Sequence, residues 1–206
     1  SIEVVIENLD IKQNIFREIE KLNDKECILT TNTSSIPVTR IASVLKHPDR
    51  FAGLHFFNPA PVMKLVVIVR GAATSEATLQ TLKEFTGDLG KQLVLVQDSP
   101  GFIVNRIARH FYLEPLEIAE QQIADFRTID SLLKSTGFKM GPFELMDLIG
   151  IDVNFSVTQS MYHSFHHQSK FRPNRIQQQK VDAGHLGRKT GRGFYEYGPD
   201  GVVKKV

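Results

Sequence analysis

The chain has 206 residues, 41% of them hydrophobic and 23% charged, with a formal net charge of +2. This is enough for one large or two small cores in an ordinary globular protein. The charge is spread along the chain, and only Gly187 to Arg192 is locally basic, which argues against a nucleic-acid partner and favours a small anionic ligand. The single cysteine, Cys27, excludes an internal disulfide framework and fits a reducing compartment, so a cytoplasmic location is expected. No apolar run approaches the roughly 20 residues of a bilayer span, and Ser1 to Ile6 is too short and acidic for a signal peptide. No membrane association is expected.

The predicted elements begin with Val4–Ile6 as the tail of a strand, followed by a helix carrying Ile11, Ile15, Ile19 and Leu22 at helical spacing, with Asp10 near its start. Cys27–Thr31 reads as the next strand. Ser34 or Ser35 can then cap a helix with Pro37 in its first turn and Val38, Ile41 and Leu45 facing inward. Phe51–Phe57 and Leu65–Val69 read as further strands. Ser75–Leu89 reads as a helix with Leu79, Leu82, Phe85 and Leu89 inward, and Gln92–Val96 as the last strand. Alternation of this kind predicts a mostly parallel sheet covered on both faces, with ligands outside the carboxyl ends of its strands.

At Asp98-Ser99-Pro100-Gly101 the pattern changes. Helical periodicity runs on from Phe102 to Ala124, bent at Pro115, with shorter helices at Thr128–Ser135, Pro142–Ile149, Val153–Phe165 and Asn174–Asp182. The fold class is therefore α/β followed by all-α, with domains at 1–99 and 100–206 and Asn105 at the hinge between them.

Three segments carry chemistry: Asn32-Thr33-Ser34-Ser35, His55-Phe56-Phe57-Asn58-Pro59, and Pro100 to Arg106 with Asn105 in it. Together they offer a proton carrier, hydroxyls and amides at element ends, where one small polar substrate could meet them. Each residue also has a plain structural role available. His55 could be a buried imidazole bonded to backbone, the serines helix caps, Asn58 a turn initiator, and Asn105 a hinge residue. Glu7 and Lys12 could be a solvated pair, and Lys189 an exposed basic residue. His163, His166 and His167 lack a neighbouring carboxylate or cysteine to complete a ligand set, so they read as surface or interface histidines and no metal is expected.

These segments, with Pro61, Met63, Lys64, the string Met140-Gly141-Pro142-Phe143-Glu144-Leu145 and the closing Gly187 to Tyr195 stretch, resemble L-3-hydroxyacyl-CoA dehydrogenases over nearly the whole chain. The 3-hydroxyacyl-CoA and 3-hydroxybutyryl-CoA branch, including the type found in bacterial phenylacetate degradation, is the most similar. The resemblance implies a Rossmann-like domain followed by a helical dehydrogenase domain, and NAD-dependent conversion of L-3-hydroxyacyl-CoA to 3-oxoacyl-CoA. It assigns the proton acceptor to His55, a substrate hydrogen bond to Ser34, and polarisation of the same oxygen to Asn105. It matches Glu7, Lys12, Ser34, Asn58 and Lys189 to cofactor contacts. It further implies an acyl-CoA substrate and a homodimer built through the helical domain, to which the apolar Phe143, Leu145, Met146, Leu148 and Ile149 could contribute.

Two departures bear on activity. The family opens with a strand, a Gly-x-Gly-x-x-Gly turn and a helix, and nothing of that kind precedes Glu3. The chain is thus expected to be a fragment of a longer dehydrogenase, its partial Rossmann-like sheet lacking the first strands and the turn that cradles the pyrophosphate. The family also places a glutamate twelve residues after its histidine, where this chain has Val67. Loss of that carboxylate should lower the pKa of His55 and weaken catalysis, so the chain is expected to be inactive or impaired. The alternative is a non-catalytic member, serving acyl-CoA binding, dimerisation or scaffolding.

Overall fold

The computed structural model describes residues 1–23, 26–201, 203 and 204. It divides into two compact units, the first ending at Ile103 and the second starting at Val104.

In the first unit a five-stranded sheet has the order β1 (Ile2–Glu3), β2 (Leu29–Thr31), β3 (Phe51–Phe56), β4 (Leu65–Arg70), β5 (Gln92–Gln97). Its pairs are parallel except β3 with β4, which are antiparallel. Helices α1 (Leu9–Leu22), α2 (Val38–Ala42) and α3 (Glu76–Asp88) make the parallel crossovers. Side chains alternate across β3 and β4 as the pleat requires. Phe51, Val67 and Val69 pack on one face with Phe16, Val38 and Ile41, while Ala52, Leu54, Val66 and Ile68 pack on the other with Leu79 and Leu82. Gly53 faces the first group, where a Cβ would stand 2.8 Å from Val69 Cβ and 2.9 Å from Val38 Cγ2. Only glycine lets α2 approach the sheet so closely.

Several expectations need correction. Val4 and Ile6 are exposed and lie outside any strand, because β1 pairs with β2 only through Ile2 and Glu3. The strand expected at Cys27 begins at Leu29. The inward face of α1 is centred on Lys12 and Phe16, and Ile11 and Leu22 are exposed. Phe85 and Leu89 also lie outside the core, because the buried face of α3 is made by Thr78, Leu79, Leu82 and Thr86. Neither Ser34 nor Ser35 caps α2. The residue before it is Pro37, which has no side-chain acceptor, and the amides of Val38 and Thr39 donate to the carboxylate of Asp98 at 3.1 and 2.8 Å.

The second unit comprises α4 (Val104–Glu120, containing Pro115), α5 (Phe126–Ser135), α6 (Pro142–Ile149), α7 (Ile151–Ser164) and α8 (Arg175–Asp182). Tyr112, Leu116, Phe143, Met146 and Phe194 form its centre. Asp130 accepts from the amides of Phe143 and Glu144 at the start of α6 and from the Tyr195 hydroxyl. Asp147 does the same for the amides of Phe194 and Tyr195 and the Tyr197 hydroxyl. The Met140 to Leu145 string and the closing stretch are therefore joined by buried carboxylates. Burial raises the pKa of both acids above the ordinary range, with the donors opposing it. Of the apolar residues expected at a partner surface, Phe143 and Met146 are in the core, whereas Leu148 and Ile149 are exposed.

Candidate active site

The carboxyl ends of the parallel strands β1, β2 and β3 open on the same side, and the loops that follow β1 and β2 meet at Glu7. One carboxylate oxygen of Glu7 accepts from Thr33 Oγ1 (2.6 Å), Ser35 Oγ (2.8 Å) and the amides of Ser34 and Ser35 (3.0 Å each). The two serines read as caps thus donate to an acid on another loop. Burial pushes the Glu7 carboxyl upward, but these donors outweigh it and leave the pKa below its ordinary value.

The other Glu7 oxygen lies 3.4 Å from Lys12 Nζ. Lys12 is no solvated residue: its side chain is 1% exposed, and Nζ also reaches Glu3 Oε1 at 2.8 Å and the Val5 carbonyl at 3.2 Å. Glu3 is equally buried and accepts from Thr31 Oγ1 at 2.7 Å. A charged chain therefore runs from Glu3 in β1 through the buried Lys12 in α1 to the half-exposed Glu7 in the loop after β1, which in turn binds the loop after β2.

His55 stands near the end of β3, half-buried, on the face that also carries Phe51 and Val67. The ring of Phe57 meets the imidazole edge-on at 4.6 Å between centroids, and Phe102 lies at 6.2 Å. Its partner across the antiparallel pair is Val67, which is 1% exposed. Burial lowers the His55 pKa, and the negative charge of Glu7 raises it; burial prevails. Asn32 Oδ1 accepts from the Phe56 amide at 2.8 Å and so fixes the end of β3 against the end of β2.

The structure thus brings Glu7, Lys12 and the backbone of Ser34 into one network, in which Glu7 acts electrostatically on His55. Asn58 follows β3, exposed, in a cis peptide with Pro59. Asn105 and Lys189 belong to the second unit. Asn105 lies half-buried in the first turn of α4. Lys189, in a 3-10 turn, binds both oxygens of Asp152 at 2.6 and 2.7 Å. The sequence reading singled out the Asn32 to Ser35 segment but gave Asn32 and Thr33 no role of their own, and it missed Glu3 as a support, because a buried acid in a two-residue strand gives no periodic signal. Among the described residues no group of three or more His, Cys, Asp or Glu side chains could hold a metal, and no helix is long and apolar enough to cross a membrane.

A neutral, half-buried imidazole can take a proton at neutral pH. Glu7, with one oxygen saturated by four donors and the other facing only Lys12, can still accept from a ligand hydroxyl. Comparison with known proteins places this arrangement. Residues 1–99 match the family "3-hydroxyacyl-CoA dehydrogenase, NAD binding domain", and residues 101–197 match "3-hydroxyacyl-CoA dehydrogenase, C-terminal domain". The 3-hydroxyadipyl-CoA dehydrogenase of Escherichia coli (strain K12) is 48% identical over 95% of this chain and 42% of its own length. A 3-hydroxybutyryl-CoA dehydrogenase of Bradyrhizobium diazoefficiens is 41% identical over 95% of this chain and 67% of its own. Among solved structures, the 3-hydroxybutyryl-CoA dehydrogenase of Escherichia coli K12 superposes with a TM-score of 0.93, covering 95% of this chain and 42% of that one at 48% identity. The enzyme of that name from Ralstonia eutropha gives 0.91 at 40% identity, covering 96% and 70%. The chain thus spans less than half the length of the Escherichia coli relative. With both domain models matched in order and the fold shared along the chain, it belongs to the 3-hydroxyacyl-CoA dehydrogenase family.

Proposed function

We propose that the protein carrying this chain oxidises L-3-hydroxyacyl-CoA to 3-oxoacyl-CoA. The observation that supports this most directly is His55, a half-buried imidazole with a lowered pKa at a strand's carboxyl end, under the influence of a fixed carboxylate. His55 takes the hydroxyl proton as the C3 carbonyl forms. A bound NAD would supply the hydride acceptor for C3. Ser34 donates a hydrogen bond to the substrate oxygen, and the Asn105 amide holds the same oxygen from α4. Glu7 accepts from a ribose hydroxyl on the nicotinamide side through its less occupied oxygen, and Lys12 holds Glu7 in place. Asn58 and Lys189 complete the cofactor contacts. In Lys189 this means sharing an ammonium already bound to Asp152.

The substrate class is acyl-CoA and the location cytoplasmic. The domains divide at 1–99 and 100–206, and the protein is a homodimer through its helical part, a reading supported by the exposed Leu148, Ile149 and Val153 on α6 and α7.

A second reading, a non-catalytic acyl-CoA-binding or scaffolding protein, is favoured by one observation: the residue paired with His55 is Val67 rather than a carboxylate. The full gene product assayed with NAD and 3-hydroxybutyryl-CoA separates the two. Formation of NADH, lost by roughly 10²–10⁴-fold in His55→Gln, supports the dehydrogenase. Binding of the CoA ester without turnover supports the second reading.

A further inference from the structure

Buried cations in the first unit face carboxylates: Lys12 reaches Glu3 at 2.8 Å, and Arg50 stands 3.8 Å from Glu20. Arg109, in the second turn of α4 and 4% exposed, faces none among the described residues. Its Nη1 donates to the Asn154 carbonyl (3.0 Å), Asn154 Oδ1 (3.4 Å) and Thr158 Oγ1 (3.0 Å), and its guanidinium lies 4.8 Å from the Tyr112 ring centroid. All of these partners are neutral. Burial brings its pKa down to about 10, with only Tyr112 acting against the shift, so the group is charged at neutral pH. A buried charge without a counter-charge is among the least favourable arrangements a fold can keep.

The unused atoms indicate what is missing. Among the described residues, Arg109 Nε and Asn154 Nδ2 are buried donors without partners. With Nη1 engaged, the free edge of the guanidinium is the one that carries Nε, which is suited to side-on binding of a carboxylate. The third orphan in the network, Gln177 Oε1, is an acceptor and gains nothing from an anion. Arg109 also follows Asn105 by four residues, so their side chains are neighbours on one helix face, about 5–6 Å apart at Cβ. In a six-carbon acyl chain C3 and C6 are separated by three carbon–carbon bonds, about 4 Å when extended, and their oxygens add about 1 Å at each end. That span matches one helical turn of about 5.4 Å.

We propose that Arg109 receives the carboxylate at the far end of a dicarboxylic 3-hydroxyacyl-CoA while Asn105 holds the 3-oxygen, which makes Arg109 a specificity-determining residue. This rests on the dehydrogenase reading above. The test compares kcat/KM of the full gene product for 3-hydroxyadipyl-CoA and 3-hydroxyhexanoyl-CoA, which have equal carbon counts but carry a carboxylate and a methyl at C6. A charge-assisted hydrogen bond implies a preference for the dicarboxylic ester of roughly ten- to a hundred-fold. Arg109→Met should erase that preference while leaving turnover of the hexanoyl ester within a few-fold. A wild-type preference below ten-fold overturns the proposal, as does an Arg109→Met variant that keeps the ratio or lowers both activities equally. If Arg109→Met does not fold, the wild-type ratio alone decides. If neither ester is oxidised, the dehydrogenase reading fails instead, and calorimetric binding of the two esters then tests Arg109 by the same ratio.

Discussion

Replacing Val67 with glutamate tests how the sheet register sets the chemistry of His55. The two residues are direct partners across β3 and β4 and point to the same face. A carboxylate at 67 would thus stand about 5 Å from the imidazole, the spacing of opposed residues in an antiparallel pair. At that distance and an effective dielectric of about 20, the attraction for an imidazolium is about 3 kcal/mol, equivalent to about two pKa units. Val67 is 1% exposed, so desolvation of the new carboxylate opposes part of this. We expect a net rise of about one unit in the His55 pKa and a loss of about 2–4 kcal/mol in unfolding free energy.

Two measurements read the outcome: the acid limb of kcat/KM for 3-hydroxybutyryl-CoA oxidation by the full gene product, and the imidazole titration followed by NMR. The limb should move to higher pH and the plateau should rise by ten-fold or more, because an oriented imidazole is the better base. Val67→Gln, which adds polarity without charge, should leave the limb in place. A folded Val67→Glu protein whose limb stays put or moves to lower pH would refute the reasoning, since a carboxylate in register with His55 has no other electrostatic consequence.

Glu7→Gln keeps an oxygen for the four donors but removes an anion that acts on His55, so the acid limb should move to still lower pH and the apparent NAD affinity should fall about ten-fold; both are read from initial rates across pH. Lys12→Met leaves Glu3 buried without a cation and should lower stability by about 3–5 kcal/mol in urea unfolding, whereas Glu3→Gln with Lys12→Met should recover most of the loss. Because burial depresses the folded pKa of His55, the unfolded chain binds more protons below its ordinary value of about 6.5. Stability linked to His55 is therefore complete above that pH and is lost as pH falls from it toward the folded value. His55→Asn should flatten the stability profile over that window in denaturant titrations.

The parts of the fold legible in the sequence were those specified by local pattern. Strands β3 and β4 are largely apolar runs, with His55 near the end of β3 and Arg70 closing β4, and α6 is bounded by Pro142 and Gly150, so their limits could be read almost to the residue. What could not be read depended on distant partners. The Ser34-Ser35-x-Pro37 pattern has the look of a cap, yet the acceptor for α2 is Asp98, sixty residues away, and the serines serve Glu7. Lys12 has the composition of a surface residue and is buried only because Glu3 and Glu7 converge on it. At Phe85 the helical period continued past the point where the sheet could cover it. The position of Val67 opposite His55 was implicit in the spacing, but only the β3–β4 register makes the two residues neighbours.

That register also determines how Glu7 and burial share control of His55. Glu7 is anionic and acts on the imidazole, yet the His55 pKa remains below its ordinary value. One oxygen of Glu7 receives four donors, and the other faces the Lys12 ammonium. Much of its charge is thereby compensated before it reaches His55. Val67 supplies no second anion, so desolvation prevails. The imidazole is then unprotonated at neutral pH, the form that accepts a proton from a 3-hydroxyl. Reduction of a 3-oxoacyl group calls for the protonated form, which is populated only at lower pH. The equilibrium constant is untouched by either, but the pH ranges over which the two directions run fast must separate. The valine in β4 and the donors that surround Glu7 set where on the pH scale that separation falls.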